Sequence, residues 1–330
     1  MIGAIGAAAI LAAGCGSGAA GGAGGETHVT FRQDWISRGY HAPFYLADKD
    51  GYYEKAGLNV ELAEGSGSST SAQLVATGKS EFALVQMATL MQLVSKGAPI
   101  KAVAVPVGSS GNAVMTLRKS GITKPSQLAG KTMGVSVGGN DAAVLPLFLN
   151  KTHVAKSSIK SANFQSSARE SALAQGKVDA IIDYTYNAPL FKNQFHADVS
   201  MMPFQDYGLP MLGYAIVASD DTIKKKPQLV SKFVCASLKG WNEGETHQAD
   251  AISALREKRP TVDKQVAASM LDIVYKQLLY PKASQSNFPI GVPPGSDVVS
   301  DEHALSEAKL LSKTTGQAST YYDDSFAKKC

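Results

Sequence analysis

The sequence predicts an α/β protein of two lobes, each a mainly parallel sheet flanked by helices, with two hinge crossings between them. Three observations predict it. From Thr27 short apolar strands alternate with amphipathic helices, the pattern of parallel βαβ units. A second series from Lys131 repeats the first. The last third is helical and strand-free, so it must cover a lobe already built. At roughly 150 residues per domain, 330 residues make about two domains. With 44% hydrophobic and 18% charged residues, the chain buries large cores and is not a disordered chain.

The elements follow in order. Thr27 to Arg32 reads as the first strand. Pro43, at a first helical position, opens a helix to Lys55 that Gly57 closes. Leu58 to Leu62 is a strand, Ser71 to Thr77 a helix, Phe82 to Val85 a buried strand, Ala88 to Ser95 a helix and Ile100 to Val107 a strand. In the second series, Lys131 to Val137 is a strand and Asp141 to Asn150 a helix interrupted by Pro146. Ile159 to Phe164 is a strand, Ser166 to Gln175 a helix and Val178 to Ile182 a strand. Leu74 to Lys79 and Ala172 to Lys177 both end in Gly-Lys, and Glu81 and Asp179 both precede an apolar strand. Met211 to Ser219 is the returning strand. Pro227 to Trp241, Glu245 to Lys258 and Val262 to Leu279 carry apolar residues at helical spacing. Lobe one is then 26–111 plus 220–330, and lobe two is 112–219, with crossings near Asn112 to Leu117 and Gly213 to Ser219. Met201, Met202 and Met211 read as core.

Residues 1–25 read as an export signal and tether. Met1 to Ala13 is apolar but too short to span a bilayer. It runs into Leu11-Ala12-Ala13-Gly14-Cys15, which resembles a bacterial lipobox and implies lipidation of Cys15. Gly16 to Gly25 holds only Gly, Ser and Ala, the composition of a flexible linker. Lys plus Arg is 32 and Asp plus Glu is 28, an excess of 4 that is too thin and too scattered for nucleic acid. Cys15, Cys235 and Cys330 lack zinc spacing. No metal, cofactor or catalytic group is expected, and Cys235 and Cys330, once exported, are candidates for a disulfide.

Two lobes about a hinge put two sets of strand ends at one cleft, where open parallel sheets bind ligands. An exported, tethered, closing cleft suits solute capture. The run His41-Ala42-Pro43-Phe44-Tyr45-Leu46-Ala47, followed by Gly51 to Val60, resembles the opening of bacterial ABC-transporter solute-binding proteins. Within them it is similar to the branch that binds thiamine-pyrimidine precursors, alkanesulfonates and taurine, or nitrate. Gln73 to Gln86, Pro125 to Lys131 and Gly176 to Ala180 resemble that branch in order and spacing, so the likeness covers Val29 to Val217. It implies the type II periplasmic binding fold, a monomer, and a permease and an ATPase as partners. The same fold family holds pyrimidine synthases, which carry a cysteine-rich run that is missing here. A sensor subunit is a third reading.

Candidate ligand residues follow from position and chemistry. Trp35, Arg38 and His41 lie in the loop after the first strand. Trp35 offers a stacking face, Arg38 a fork of donors, and His41 either a ligand contact or a cap for the next helix. Tyr45 lies one turn on. Gly65, Ser66 and Ser68 lead into a helix whose free N–H groups face the cleft, and Ser136, Gly138, Gly139 and Asn140 take the matching place in lobe two. Gln86 and Asp183 end equivalent strands, and Tyr184, Tyr186 and Asn187 follow. Arg38 favours an acid as ligand and Asp183 an amine or ring N–H. A small aromatic or heterocyclic molecule with hydrogen-bonding substituents suits the aromatic residues best.

Overall fold

A computed structural model describes residues 26–165, 168–279 and 289–330. The export signal, Cys15, the tether over 16–25 and the first two residues of the helix expected from Ser166 lie outside the described residues. The first series forms β1 (Thr27–Arg32), α1 (Ala42–Lys49), α2 (Tyr52–Lys55), β2 (Leu58–Ala63), α3 (Ser68–Ala76), β3 (Phe82–Gln86), α4 (Met87–Ser95) and β4 (Ile100–Ala104). The helix expected over 43–55 is two helices, because Gly51 takes a left-handed φ of 69° and ends the first. The second series forms β5 (Asn112–Leu117), β6 (Thr132–Ser136), α5 (Asp141–Lys151), β7 (Lys160–Phe164), α6 (Ala168–Ala174), β8 (Ala180–Tyr184), α7 (Ala188–Gln194) and β9 (Val199–Pro203). Pro146 does not interrupt α5, which runs through it. Strand β9 was not anticipated: its Met-Met-Pro run lacks a clean alternation, and Met201 is 40% exposed rather than core, while Met202 and Met211 are buried.

The chain returns through β10 (Tyr214–Ser219) and then runs α8 (Asp220–Lys225), α9 (Pro227–Thr246), α10 (Gln248–Lys258), α11 (Lys264–Ile273) and α12 (Gly295–Glu307). The helix expected over 262–279 shortens to α11 and continues as a wider five-residue π segment, Val274–Leu278.

Two five-stranded sheets result, in the orders β2-β1-β3-β10-β4 and β7-β6-β8-β5-β9. The orders correspond strand for strand. In each, the first three strands pair in parallel, and one strand, β10 or β5, runs antiparallel between its neighbours. Both segments expected to be crossings are therefore sheet strands: 112–117 lies inside the second sheet and 214–219 inside the first. The chain passes between sheets at 105–111 and 204–213. A strand flanked by two partners satisfies its backbone groups on both sides, which is why apolar segments at the junction are drawn into the sheets.

The helical C-terminal third covers the first sheet. Phe233 of α9 stacks on Phe82 at 4.2 Å and on Tyr53 at 5.6 Å, and the fully buried Trp241 meets Phe44 edge-on. A second apolar cluster joins the other face of that sheet to α5 and the second sheet, through Val85, Leu90, Val144, Phe148 and Ile182. Cys235 of α9 and Cys330 are bonded, with Cα atoms 5.0 Å apart.

Candidate functional site

The strand ends of the two lobes meet at one cavity. Its walls are the loop after β1 (Asp34, Trp35, Arg38, Tyr40), the start of α3 (Gly67, Ser68), the loop before α5 (Gly139, Asn140, Asp141), the start of α6 (Arg169, Glu170), and Tyr184 and Asn187 after β8. The cavity measures about 20 Å³, room for about one water. Its walls touch across the lobes. Ser69 N donates to Gly138 O at 3.2 Å and Thr89 Oγ1 to Asn140 Oδ1 at 2.8 Å. Arg38 Nη2 donates to Glu170 Oε1 at 3.0 Å. Gly67, at a φ of 140°, comes so close to the facing loop that a Cβ would stand 2.2 Å from Gly138 O.

The carboxylates are held individually. Asp34 accepts from Tyr40 Oη at 3.3 and 3.2 Å and from His41 Nε2 at 2.9 Å. Because His41 Nδ1 accepts from the Arg38 N–H at 3.0 Å, its proton sits on Nε2. Asp141 accepts from Arg169 Nη1 at 2.6 Å and from Ser136 N at 2.8 Å. Asp183 accepts from Asn187 Nδ2 at 2.6 Å and Tyr184 N at 2.9 Å, with Arg169 Nη2 at 3.3 Å. Burial pushes the Asp183 carboxyl up to about 6, with Glu170 adding and Arg169 and Arg38 opposing. Burial works against the charge of Arg169, yet Asp141, Asp183 and Glu170 outweigh it and hold its guanidinium well above the usual value.

Four carboxylates, Asp34, Asp141, Glu170 and Asp183, thus share the site with two guanidiniums, Arg38 and Arg169. Both guanidiniums already face carboxylates. Several buried polar atoms have no partner among the described residues: Arg38 Nη1, Glu170 Oε2, Asn187 Oδ1, Ser136 Oγ and both side-chain atoms of Gln86. Native proteins rarely leave such atoms unpaired.

Of the residues singled out by sequence, Trp35, Arg38, Ser68, Gly139, Asn140, Tyr184 and Asn187 line the cavity. His41, Asp183 and Tyr186 lie one layer behind. His41 holds Asp34 and does not cap α1, Asp183 holds Arg169 and Asn187, and Tyr186 stacks on Tyr184 at 5.1 Å. Gln86 and Ser136 are buried beside the wall, with Gln86 N donating to Ser68 Oγ. Gly138 supplies its carbonyl to the interlobe bond. Three are displaced. Tyr45 is core, its hydroxyl 2.8 Å from Gln33 Nε2 and from Ser37 Oγ, because the turn at Gly39–His41 rotates α1 away. Gly65 packs on the Gln33 carbonyl, and Ser66 is exposed.

Asp34, Tyr40, Arg169 and Glu170 were missed, and Gly67 and Asp141 lie in the two candidate loops, 65–70 and 136–141, without having been singled out. The internal repeat carries a signal for two of them. Extended back from the Leu74–Ala172 match, it sets Arg169 and Glu170 against the buried Ser71 and Ala72, so a charged pair falls on a buried helix face.

Beyond Arg38 lies a wider opening of about 450 Å³ between α7 and α11, walled by Ile36, Leu190, Val262, Val266 and Met270.

Among known proteins, the chain is 24% identical to the formylaminopyrimidine-binding protein of Halalkalibacterium halodurans, over 83% of this chain and 82% of that one. It is 32% identical, over only 32% of each chain, to the 4-amino-5-hydroxymethyl-2-methylpyrimidine phosphate synthase THI11 of Saccharomyces cerevisiae. The alkanesulfonate-binding protein SsuA of Xanthomonas axonopodis pv. citri has the same fold, with a TM-score of 0.70 at 14% identity over 91% of this chain and 99% of that one. Residues 38–251 match the family described as NMT1/THI5 like, and the chain belongs to that family.

Proposed function

We propose that this protein is the extracytoplasmic solute-binding component of an ABC importer, and that its guest is a small pyrimidine-like ring bearing hydrogen-bond donors. The observation that carries the reading is the ring of buried polar groups, drawn from both lobes, that surrounds one cavity beside Trp35. A cavity of about 20 Å³ does not admit a pyrimidine, so the lobes part to load. We assign residues 26–104 and 214–330 to one lobe and 112–203 to the other, with 105–111 and 204–213 flexing. The opening beyond Arg38 is the entry route. Trp35 is half-buried, and no aromatic ring among the described residues stacks on it, which leaves a face for the guest.

Charge separates the ligand classes. With carboxylates outnumbering guanidiniums four to two, a sulfonate meets repulsion, while amino and ring N–H groups meet acceptors. The relative that binds a formylaminopyrimidine agrees with this. Catalysis of the synthase kind is disfavoured because Cys235 is tied to Cys330 and both His41 nitrogens are engaged. Cys15 anchors the body through lipid. Calorimetry with 4-amino-5-hydroxymethyl-2-methylpyrimidine and with ethanesulfonate tests the reading. Heat from the pyrimidine alone, and its recovery unchanged by mass spectrometry, is the expected result. Ethanesulfonate binding, or conversion of the pyrimidine, rejects it.

A further inference from the structure

The end of lobe one remote from the cavity is basic. Lys224 and Lys225 close α8, Lys226 follows, and Lys225, Lys226 and Lys232 line a shallow depression with Thr27 and Leu58. Lys232 Nζ lies 3.7 Å from where a Cβ on Gly57 would stand, and Gly57 O accepts from Thr27 N. Further along α9, Lys239 Nζ and Lys55 Nζ sit over the ring of Tyr52, at 4.3 and 5.5 Å. Between Lys232 and Lys239, the Cys235–Cys330 bond brings Lys328 and Lys329 to the same helix. All eight lysines are exposed. Lys225 pairs with Asp221 and Lys328 with Asp324; among the described residues the other six face no carboxylate within ion-pair distance. Asp50 and Glu243 border Tyr52, so the unpaired positive charge is densest at the Lys224–Lys232 end of the face.

Two features identify the partner. The ammonium groups are spread along a helix and its borders rather than converging on one point, which suits an extended field of negative charge. The chain also enters the fold here, at Thr27, and the preceding Gly16 to Gly25 reaches at most about 35 Å. We infer that this face rests on an anionic membrane surface, with acidic phospholipid headgroups as its partner. The inference rests on the export-and-anchor reading for how the protein meets a membrane, but not for the charge itself. Strand β1, six residues long, separates the face from the cavity by about 20 Å, so docking leaves the cavity open to its guest.

The test is flotation of the full chain carrying Cys15→Ser, which has no acyl chain, with vesicles of phosphatidylcholine alone or with added phosphatidylglycerol. Binding to the anionic vesicles only, lost in molar salt, is expected. Lys226→Gln, Lys232→Gln, Lys239→Gln and Lys329→Gln should each lower partition about five-fold, equivalent to ~1 kcal/mol per lysine near the surface. Lys124→Gln and Lys177→Gln, both in the second lobe, should change nothing. Equal binding to neutral vesicles, undiminished binding of a variant carrying all four glutamines, or release by millimolar inorganic phosphate would overturn the inference, the last by revealing a discrete anion pocket. Pyrimidine binding and acyl labelling of Cys15, measured on separate samples, report on the proposed function independently.

Discussion

Replacing Cys330 by Ser tests whether the C-terminal pin matters to the helical cover of lobe one. Cys330 is exposed, so the substitution removes the cross-link without opening a cavity. The bond closes a loop of 95 residues. In the chain-entropy description, such a loop lowers the entropy of the unfolded chain by about 16 cal/mol/K, or about 4.7 kcal/mol at room temperature. That is an upper figure, because a compact unfolded chain already keeps the two residues nearer than a random coil would. A loss of about 2–5 kcal/mol in urea unfolding is expected. The urea slope should rise, since the unfolded chain expands once freed. Wild type in reductant should match Cys330→Ser, and reductant should add nothing to the variant. Pyrimidine affinity should be unchanged, because the bond lies on the far side of the first sheet from the cavity. A variant within about 0.5 kcal/mol of wild type, or free thiols in the native oxidised protein, would refute the reasoning.

Trp35→Ala should weaken pyrimidine binding by ~1–3 kcal/mol, the usual worth of a ring–base stack, with calorimetry as the check. Gly67→Ala adds a Cβ where the facing carbonyl stands 2.2 Å away and forces a side chain into a left-handed φ. It should cut affinity at least about tenfold by holding the lobes apart and lower guest-free stability by about 1–3 kcal/mol through the strained φ; unchanged affinity would mean that the loops do not meet in the bound form. Asp183 gives a pH signature. Its carboxyl, raised from 3.8 to about 6, keeps its proton in the folded chain after the unfolded chain has lost it. Stability therefore falls as pH rises between those values, by ~3 kcal/mol in all, and is level above them. Asp183→Asn should remove that slope, and parallel stability–pH curves for the two proteins would exclude it.

Much of the fold was legible because the periodicities are strong. β1 was read to its end residues, and β3 and β10 are buried along their whole lengths, so apolar runs marked them. Boundaries failed where a single backbone angle decided the outcome, as at Gly51. The crossings were misplaced for a different reason. Residues 112–117 and 214–219 are apolar whether they bridge lobes or sit mid-sheet, and only long-range pairing with β8 and β3 decides between the two. Tyr45 was misread because a helical offset places a residue on a face only when the helix entry angle is known, and the turn at Gly39–His41 sets that angle.

The internal repeat accounts for the rest. Where it carries scaffold, the two halves do the same work with related residues. Gly78 and Gly176 take φ values of 70° and 71° to end α3 and α6. Glu81 and Asp179 each accept from a backbone N–H of the neighbouring central strand, at Thr30 and Thr132. Where the repeat reaches the cavity, the halves part company. Ser71 spends its hydroxyl on the Gln33 carbonyl, shaping the loop that presents Asp34 and Trp35, while the matching Arg169 binds Asp141 and Asp183. A buried guanidinium with two carboxylates is costly to assemble in an apolar helix face and gains little stability over a well-packed apolar replacement. Its presence where the strand ends of both lobes meet is understandable if it orients acceptors for a guest. Glu170, next along α6, then reaches across to Arg38, so the charged half closes on the aromatic half. A guest whose donors satisfy Glu170 Oε2 and Asn187 Oδ1 would supply the contacts that these two atoms lack among the described residues. Arg38 Nη1 and Gln86 Nε2 are buried donors in the same position, so the guest that meets all four offers donors and acceptors together, as an aminopyrimidine does and a plain alkanesulfonate, with acceptors alone, does not.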